Sequence, residues 1–469
     1  MKNNKSKVAV AAFLVTLAAS TTSARPLVEE LQSVLTLNPN IKAGALSVEA
    51  AQARTQVADA GFYPRLIINA DTGLENIKTT SFKPSTGTME LGNDGVVTPA
   101  TNSELTRRKL GLSLEQPLYS GGRLQANANI ADADLRIKEL SLQSVTQDVL
   151  LEAVTNYLQV GRYQTLIGLA RLNEETTRSQ LDNESKRVQG GGGVAVDVLQ
   201  ARTRLQVVKE RSVFYEQGLR DAIASYEQTF GREPDLARFE EVGIYQSGLP
   251  KDMAIAMQKG LEANPRLQVA RLQVDRAQEQ IALAKSGALP TVDAVLSGNI
   301  DRNANATARR DDYSAFVRLN WNFSLGMEAK HRAAASLRDK DELGEKEVAA
   351  RGKLRENIRI SWNLLINGKE RLDLLDSAAS IARDVMISRK RLRDAGKETA
   401  LSALDAEVEY YGVLANKINA MYDMRIGSYR LLAAVGALTP EALGIGGSFK
   451  LPVQPLLVDL ETIARPGTH

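Results

Sequence analysis

The sequence predicts an α+β protein made of two copies of one unit, each with a pair of strands and a long helical hairpin. An Asn-Pro dipeptide at Asn38 recurs at Asn264, 226 positions later, and a longer segment recurs 205 positions later, where Gly191 aligns with Gly396. Between proline-free segments of helical period lie segments of period two. An offset that changes by 21 residues places an insertion near residues 76–105.

The N-terminal 24 residues have the features of a secretory signal peptide. Three lysines precede a 12-residue apolar run at 8–19, and small residues around Ala24 suit cleavage. The run is shorter than the roughly 18 apolar residues of a membrane-spanning helix. We therefore predict a signal peptide over residues 1–24 and an exported mature chain.

The composition excludes several classes of function. Without the three N-terminal lysines, 56 basic side chains balance 56 acidic ones, which disfavours a nucleic-acid partner. The chain has no cysteine, so it has neither disulfides nor a lipid-modified cysteine. With His331 and His469 as its two histidines and no P-loop spacing, it offers no His/Cys metal site and no standard nucleotide cradle. We expect no enzyme activity and no cofactor.

Five segments are predicted as helices. Pro39 suits a helix start, and the helix ends at the Gly-x-x-Pro pattern that begins at Gly61. No proline lies within 118–233 or 291–439, so long helices are possible there. A helix over 122–188 would be about 100 Å long. The returning helix is shorter, and we expect the Asn-Pro helix to stack end to end with it, so that the two together match the long helix. The predicted helices span 40–61, 122–188, 196–230, 327–394 and 400–434.

Four segments alternate apolar and polar residues. The clearest runs from Tyr313 to Phe323, and the others begin at Arg65, Leu110 and Thr291. Strands of about 9–11 residues cross a membrane when tilted, and we expect exposed loops at 76–105 and 302–312. Open edges in hydrocarbon leave backbone groups unpaired, so a membrane-spanning form must oligomerise. The alternative is two ordinary hairpins on a soluble core.

These elements divide the chain into five predicted parts. A linker separates the two repeats, and a tail follows the second. The parts are the signal peptide 1–24, the first repeat 25–232, the linker 233–252, the second repeat 253–438 and the C-terminal tail 439–469.

In order and spacing, these motifs resemble the TolC-type outer-membrane efflux and export ducts. The resemblance covers nearly all of the mature chain and includes the strand end Gln116–Arg123 and the Leu404-Asp405-Ala406 segment. It implies a homotrimer with a twelve-stranded β-barrel, four strands from each protomer, in the outer membrane of a Gram-negative cell. It also implies a long α-helical barrel in the periplasm, a periplasmic adaptor protein and an inner-membrane transporter of the ABC or RND type.

The resemblance also implies a periplasmic gate near the second helix turn. The family's constriction uses two aspartates, and this chain has Ser402 at the first position and Asp405 at the second. Arg393 and Glu398 stand where the family has its other gating residues. Three Asp405 carboxylates around a threefold axis would raise one another's pKa or recruit a cation. The alternative is a solvated carboxylate on a helix face.

The two turns themselves are predicted to dock the adaptor. Bare backbone would allow close approach by a partner helix, although a flexible turn explains a glycine run equally well. The predicted docking residues are Gly190, Gly191, Gly192, Gly193, Gly396 and Lys397.

The sequence therefore predicts a passive exit duct energised elsewhere, with type I secretion favoured because the chain has no lipidated cysteine. The outer-membrane component of a multidrug efflux pump is the alternative within this class. A soluble periplasmic coiled-coil scaffold is the alternative from another class.

Overall fold

The computed structural model describes residues 27–79, 82–83, 96–97, 101–239, 248–304 and 307–445. The predicted signal peptide and most of the predicted C-terminal tail lie outside these residues. Within them, the chain forms eight α-helices and six strands.

The first half of the chain begins with two helices that the proline at position 39 separates. The helix that begins at Pro39 was predicted from the sequence, and the helix before it was not. The elements are α1 Leu27–Leu37, α2 Pro39–Ala60, β1 Arg65–Thr79, β2 Phe82–Lys83, β3 Val96–Val97, β4 Thr101–Tyr119, α3 Arg123–Gln189 and α4 Ala195–Phe230.

The second half repeats this order after a short 3-10 turn at Leu236–Arg238. The first helix after this turn, like α1, was not predicted. The elements are α5 Met253–Ala263, α6 Pro265–Ser286, β5 Thr291–Ala304, β6 Thr307–Asn320, α7 Glu328–Asp394 and α8 Ala400–Ala434. Helices α1, α2, α5 and α6 keep the 226-residue offset at both ends, and α3 and α7 keep the 205-residue offset. The structural units therefore repeat as the sequence offsets do.

The Asn-Pro dipeptide starts a helix in both repeats for the same reason. The side-chain oxygen of Asn38 accepts hydrogen bonds from the backbone N–H groups of Asn40 at 2.8 Å and Ile41 at 3.4 Å. Asn264 caps α6 in the same way. Proline follows each cap, where its missing N–H and fixed φ cost nothing.

The two long helices, α3 and α7, each have 67 residues and are about 100 Å long. Helix α2 packs on the first part of α3, where Gly44 faces Leu142, and α4 packs on the later part, where Asn156 donates to Thr229 at 2.8 Å. Helix α1 contacts both α2 and α4 at their junction. There Glu30 forms an ion pair with Arg232, which follows α4.

The main hydrophobic core lies at this junction. Five helices contribute to it, and its largest fully buried side chains include Leu31, Leu150, Leu158, Tyr226 and Leu432. The ring of Tyr226 stacks on Phe230 at 4.1 Å between centroids. Burial raises the pKa of the Tyr226 hydroxyl, and the neighbouring Glu30 carboxylate raises it further. The core therefore joins the two helical hairpins at the level where α4 ends and α2 begins.

Strands β1, β4, β5 and β6 form one antiparallel sheet in that order. They have 14–19 residues, which exceeds the predicted 9–11. The predicted loop 302–312 is wrong over most of its length, because residues 302–304 and 307–312 continue the strands and Arg302 pairs with Arg309. At the other end, β6 stops at Asn320, so the predicted strand was too long there.

The sheet has one apolar and one polar face. On the apolar face Leu112, Leu296, Tyr313 and Val317 are exposed. The opposite face has charged and polar pairs, and Val295 and Asp301 are buried on it. Among the described strands, β1 and β6 have no partner along their outer edges. In the parts of the chain that the structure describes, no helix has both the length and the hydropathy to span a membrane.

Candidate functional site at the tip of the helical hairpins

The turns that join α3 to α4 and α7 to α8 have the same backbone. Gly191 and Gly396 both adopt positive φ, at 77° and 71°, one residue after the helix cap. The next N–H donates back to the helix in each case, from Gly192 to Arg187 at 3.0 Å and from Lys397 to Leu392 at 2.9 Å. This is a Schellman-type helix end, which needs glycine at the left-handed position.

The predicted docking glycines differ in how much space surrounds them. A Cβ at Gly192 would make ordinary contacts with Arg187, beginning at 3.7 Å, whereas one at Gly193 would lie 2.9 Å from Val188 Cγ2. A Cβ at Gly191 or Gly396 would meet no atom within 4 Å, although the positive φ disfavours any side chain there. Gly190 caps α3 and is exposed, as is Lys397. Gly192 is therefore the position where a side chain changes the surface without straining the turn.

Two of the four predicted gate residues meet in one cluster. Arg389 Nη1 donates to Glu398 Oε1 at 2.5 Å and to Ser402 Oγ at 2.5 Å, and Ser402 Oγ donates to the same carboxylate at 2.7 Å. Thr399 caps α8 by accepting from the Ser402 N–H at 3.3 Å. We call Arg389, Glu398 and Ser402 the turn latch, because it links the end of α7 to the start of α8.

Arg393 lies outside the turn latch. Its guanidinium is buried and donates through Nη2 to Asp394 Oδ1 at 2.7 Å. This contact lowers the pKa of the Asp394 carboxyl. The structure therefore places Arg393 in a local pair at the end of α7 and does not bring it to Glu398.

Asp405 also has a separate partner. Arg204 on α4 donates to Asp405 Oδ1 at 2.6 Å, so this pair connects the two hairpins. The Asp405 side chain is 55% exposed, which makes the ion pair weak in solvent. The arrangement puts a breakable contact between α4 and α8 near the turns.

Deeper in the same interface, α3 and α8 exchange buried polar contacts. Gln180 donates to the carboxylate of Glu407, whose residue is 2% exposed. Among the described residues, neither Gln180 Oε1 nor Glu407 Oε1 has a hydrogen-bond partner. Burial raises the pKa of Glu407, while the Gln180 amide and the charges of Lys390 and Arg393 oppose that rise.

Further hydrogen bonds continue along the α3–α8 interface away from the turns. The hydroxyls of Thr176 and Tyr411 are 3.3 Å apart, and Arg162 donates to Asp423 at 2.5 Å. The two hairpins are therefore held together near the tip by polar contacts, whereas their opposite ends share an apolar core. Hydrogen bonds between two protein groups can be replaced by hydrogen bonds to water, whereas apolar contacts have no such replacement.

The sequence reasoning missed Arg389, Arg204, Gln180 and Glu407. A helical spacing of three to four residues is a signal within one helix, but each of these contacts joins residues from two helices. Only the match between the repeats gave a hint: the position equivalent to Arg389 is Glu184, so the two hairpins carry opposite charge there. Glu184 is buried and lies 3.9 Å from Arg187.

The chain is similar to known outer-membrane proteins over most of its length. The model of the family described as outer membrane efflux protein matches residues 31–231 and 256–437. Among curated relatives, the outer membrane efflux protein BepC of Brucella suis is 23% identical over 79% of this chain and 80% of its own. The outer membrane protein TolC of Escherichia coli is 23% identical over 92% of this chain and 87% of its own. The solved structure of VceC from Vibrio cholerae has a TM-score of 0.74 at 14% identity, covering 87% of this chain and 96% of that one.

Proposed function

This chain belongs to the outer membrane efflux protein family, and from that premise we propose that it is the exit duct of a type I secretion system. Members of the family are non-enzymatic channels of the Gram-negative outer membrane that extend into the periplasm. The soluble periplasmic scaffold considered from the sequence is therefore wrong. Channels of this family are homotrimers that work with periplasmic adaptors and inner-membrane transporters.

The observation that carries the duct part of the proposal is the four-stranded sheet, in which β1 and β6 have no outer partner among the described strands. Along β1 and β6, backbone N–H and C=O groups would face hydrocarbon unsatisfied if one chain spanned the membrane alone. Pairing β1 of one copy with β6 of the next closes the sheet. Three copies with four strands each form a twelve-stranded barrel wide enough for a lumen. The polar face then lines the lumen, and the apolar face contacts lipid.

The type of cargo is inferred from the relatives. The alkaline protease secretion protein AprF of Pseudomonas aeruginosa is 22% identical over 70% of this chain, and its name supports protein export. A sequence without cysteine, and therefore without a lipidated cysteine, supports the same class. The pyoverdine export protein OpmQ of the same species is 24% identical over 89% of this chain. A small-molecule efflux pump is therefore the second candidate.

We assign the gate to the contacts between the hairpins at the tip. Moving the α7–α8 hairpin away from the α3–α4 hairpin requires separation of Arg204 from Asp405 and of Gln180 from Glu407. The turn latch of Glu398, Ser402 and Arg389 keeps the second turn rigid during that motion. Arg393 supports the same helix end through Asp394. The exposed backbone of both turns then receives the adaptor.

A cross-linking experiment tests the gate. Because the chain has no cysteine, Asp405→Cys introduces a single thiol per protomer, and oxidation should give inter-subunit dimers if Asp405 lines a closed tip. Ser377→Cys, at an exposed position along α7, is the matched control and should not cross-link. Equal products from both variants, or none from Asp405→Cys in a verified trimer, would contradict this gate.

A second experiment tests docking and cargo together. Gly192→Phe adds bulk at the tip without strain, and Gly168→Phe adds the same bulk at an exposed, open position in α3. In cells with a type I transporter and adaptor, we expect the Gly192 variant to stop protein export and the Gly168 variant to retain it. Normal export by the Gly192 variant rejects docking at this turn. If the unmodified protein restores drug efflux but not protein export in cells that lack their own duct, the efflux-pump candidate is supported instead.

A further inference from the structure

Three arginines lie side by side on the apolar face of the sheet. Arg108 of β4 is directly opposite Arg302 of β5, which is directly opposite Arg309 of β6. Directly opposite residues share a face of the sheet. Ile300, two residues from Arg302, is opposite Leu110 on the apolar face, so the arginines point to the same side. We call Arg108, Arg302 and Arg309 the outward arginine row.

The row marks one border of the apolar face. At the opposite border, where the strands meet the helices, Tyr119, Trp321 and Phe323 are exposed. From Asp311, next to the row, to Trp321 there are ten residue steps, or about 33 Å along the strand. With the usual tilt of about 35–45°, this corresponds to a height of about 25 Å, the height of the apolar band of outer-membrane barrels. The row therefore lies at the membrane border remote from the periplasmic helices.

The row carries an excess of positive charge. Asp311 lies between two of its members, 2.6 Å from Arg302 Nη1 and 2.6 Å from Arg309 Nη2. Arg108 is exposed, and none of the described side chains forms an ion pair with it. Arg302 and Arg309 thus share one carboxylate, and Arg108 adds a third positive charge. Like charges on directly opposite strand positions destabilise a sheet, so a further anion would stabilise this one.

We propose that the outward arginine row binds the phosphate groups of the glycolipid in the outer leaflet of the outer membrane. Guanidinium groups bind phosphate through paired, charge-assisted hydrogen bonds. The acyl chains of such a lipid would lie on the apolar residues just below the row, including Leu110 and Ile300. A phosphorylated glycolipid fits better than a glycerophospholipid, because the row is at the outer border and spans three strands, enough for more than one phosphate.

Matched variants test the proposal on the full-length protein purified in detergent and freed of endogenous lipid. The probe is bis-phosphorylated lipid A, and bound lipid is counted by native mass spectrometry. We expect Arg108→Gln/Arg302→Gln/Arg309→Gln to weaken binding about tenfold or more. Arg310→Gln is the control, because Arg310 is adjacent in sequence but faces the polar side, opposite Asp301. It should bind lipid A like the unmodified protein.

The single variant Arg108→Gln keeps the proposal testable if the triple variant fails to assemble. None of the described side chains forms an ion pair with Arg108, so Arg108→Gln removes no such contact. This variant should weaken lipid A binding about threefold, while the oligomeric state and the thermal stability stay unchanged. Dephosphorylated lipid A and phosphatidylglycerol should bind more weakly than the bis-phosphorylated form. Equal binding by Arg310→Gln and the triple variant, or equal binding of all three lipids, would overturn the proposal. Neither outcome bears on export, so the proposed function stands or fails separately.

Discussion

The two repeats share their element boundaries, yet they place side-chain volume differently where the short helix meets the long one. In the first repeat, Val34 of α1 and Ala153 of α3 are buried in the same core. At the matching positions, α5 has Gly260 and α7 has Ile358, and a Cβ at Gly260 would lie 2.4 Å from Ile358 Cδ1. The larger residue is on opposite helices in the two repeats. What the repeats share is thus the filled volume at the contact and not the residue type.

The two turns show the complementary case, in which the backbone is the same and the chemistry differs. The second turn has the latch formed by Arg389, Glu398 and Ser402. Glu398 aligns with Gly193 in the first turn, where no such carboxylate exists. The glycine at the left-handed position determines the shape of both turns, and the side chains decide which of the two can be held or released by charge.

Exchanging the volumes at the helix contact should have the largest effect. Gly260→Val overpacks against Ile358 and should cost about 2–3 kcal/mol of the free energy of unfolding, and Ile358→Ala alone should cost about 2–5 kcal/mol. The double variant reproduces the first repeat and should recover most of the loss. Denaturant unfolding followed by helical circular dichroism measures all three. If the costs simply add in the double variant, the volume argument is wrong.

Substitution of the left-handed glycines should have the next largest effect and should be equal in both turns. Gly191→Val and Gly396→Val each place a β-branched residue at positive φ, which costs about 1–2 kcal/mol locally. Amide hydrogen exchange in the last turns of α3 and α7 should accelerate correspondingly. Gly192→Ala, which has ordinary backbone angles, is the control and should change exchange little. Unequal effects would show that the two turns are not equivalent.

Removal of the turn latch should affect the second turn alone. Arg389→Gln leaves Glu398 without its guanidinium partner, and because both groups are partly exposed the expected loss is about 0.5–1 kcal/mol. Hydrogen exchange should rise over residues 395–402 and stay constant at the first turn. Arg187→Gln, near the end of α3, is the matched control and should leave exchange over residues 395–402 unchanged. A change in both turns after Arg389→Gln would mean that the latch also supports the first hairpin.

The smallest expected effect concerns pH. Burial raises the pKa of Glu407 above its ordinary 4.5, so the folded protein binds this proton more tightly than the unfolded chain does. The contribution of Glu407 to stability therefore falls as the pH rises from 4.5 through the raised pKa. Lys390 and Arg393 oppose this trend by favouring the carboxylate, and Glu184 on α3 is a second buried acid.

Glu407→Gln should remove that pH dependence. We expect the protection of the α3–α8 amides, which is the intrinsic exchange rate divided by the measured rate at the same pH, to be higher at pH 5 than at pH 7.5 in the unmodified protein and equal at both in the variant. Glu409→Gln, an exposed position on the same helix, is the control and should behave like the unmodified protein. A pH dependence that persists in Glu407→Gln assigns the effect to another group.

Much of the fold could be predicted because its signals are local. Asparagine caps, prolines and left-handed glycines determine where helices begin and end, and the observed ends of the five predicted helices lie within one or two residues of the predictions. Helices α1 and α5 were missed, although Leu27, Leu31, Val34 and Leu35 in α1 have helical spacing that could have revealed it. The predicted strands were too short, because the strand ends remote from the helices carry charged residues and lack the apolar alternation on which the prediction depended.

The site was less predictable than the fold. Ser402 and Glu398 do meet, but their shared partner Arg389 lies on another helix, and Asp405 contacts Arg204 from the other hairpin. The predicted domain boundaries stay predictions, as do the roles of the tip residues.

By itself, the sequence determined the duplicated order of elements, the lengths of the long helices and the shape of the turns, since these depend on backbone preferences within a few residues. Only the tertiary structure decided which charges meet between hairpins, which volumes compensate and which arginines share the apolar face of the sheet. Those outcomes depend on distances between residues remote in sequence, and helical or strand period alone does not specify them.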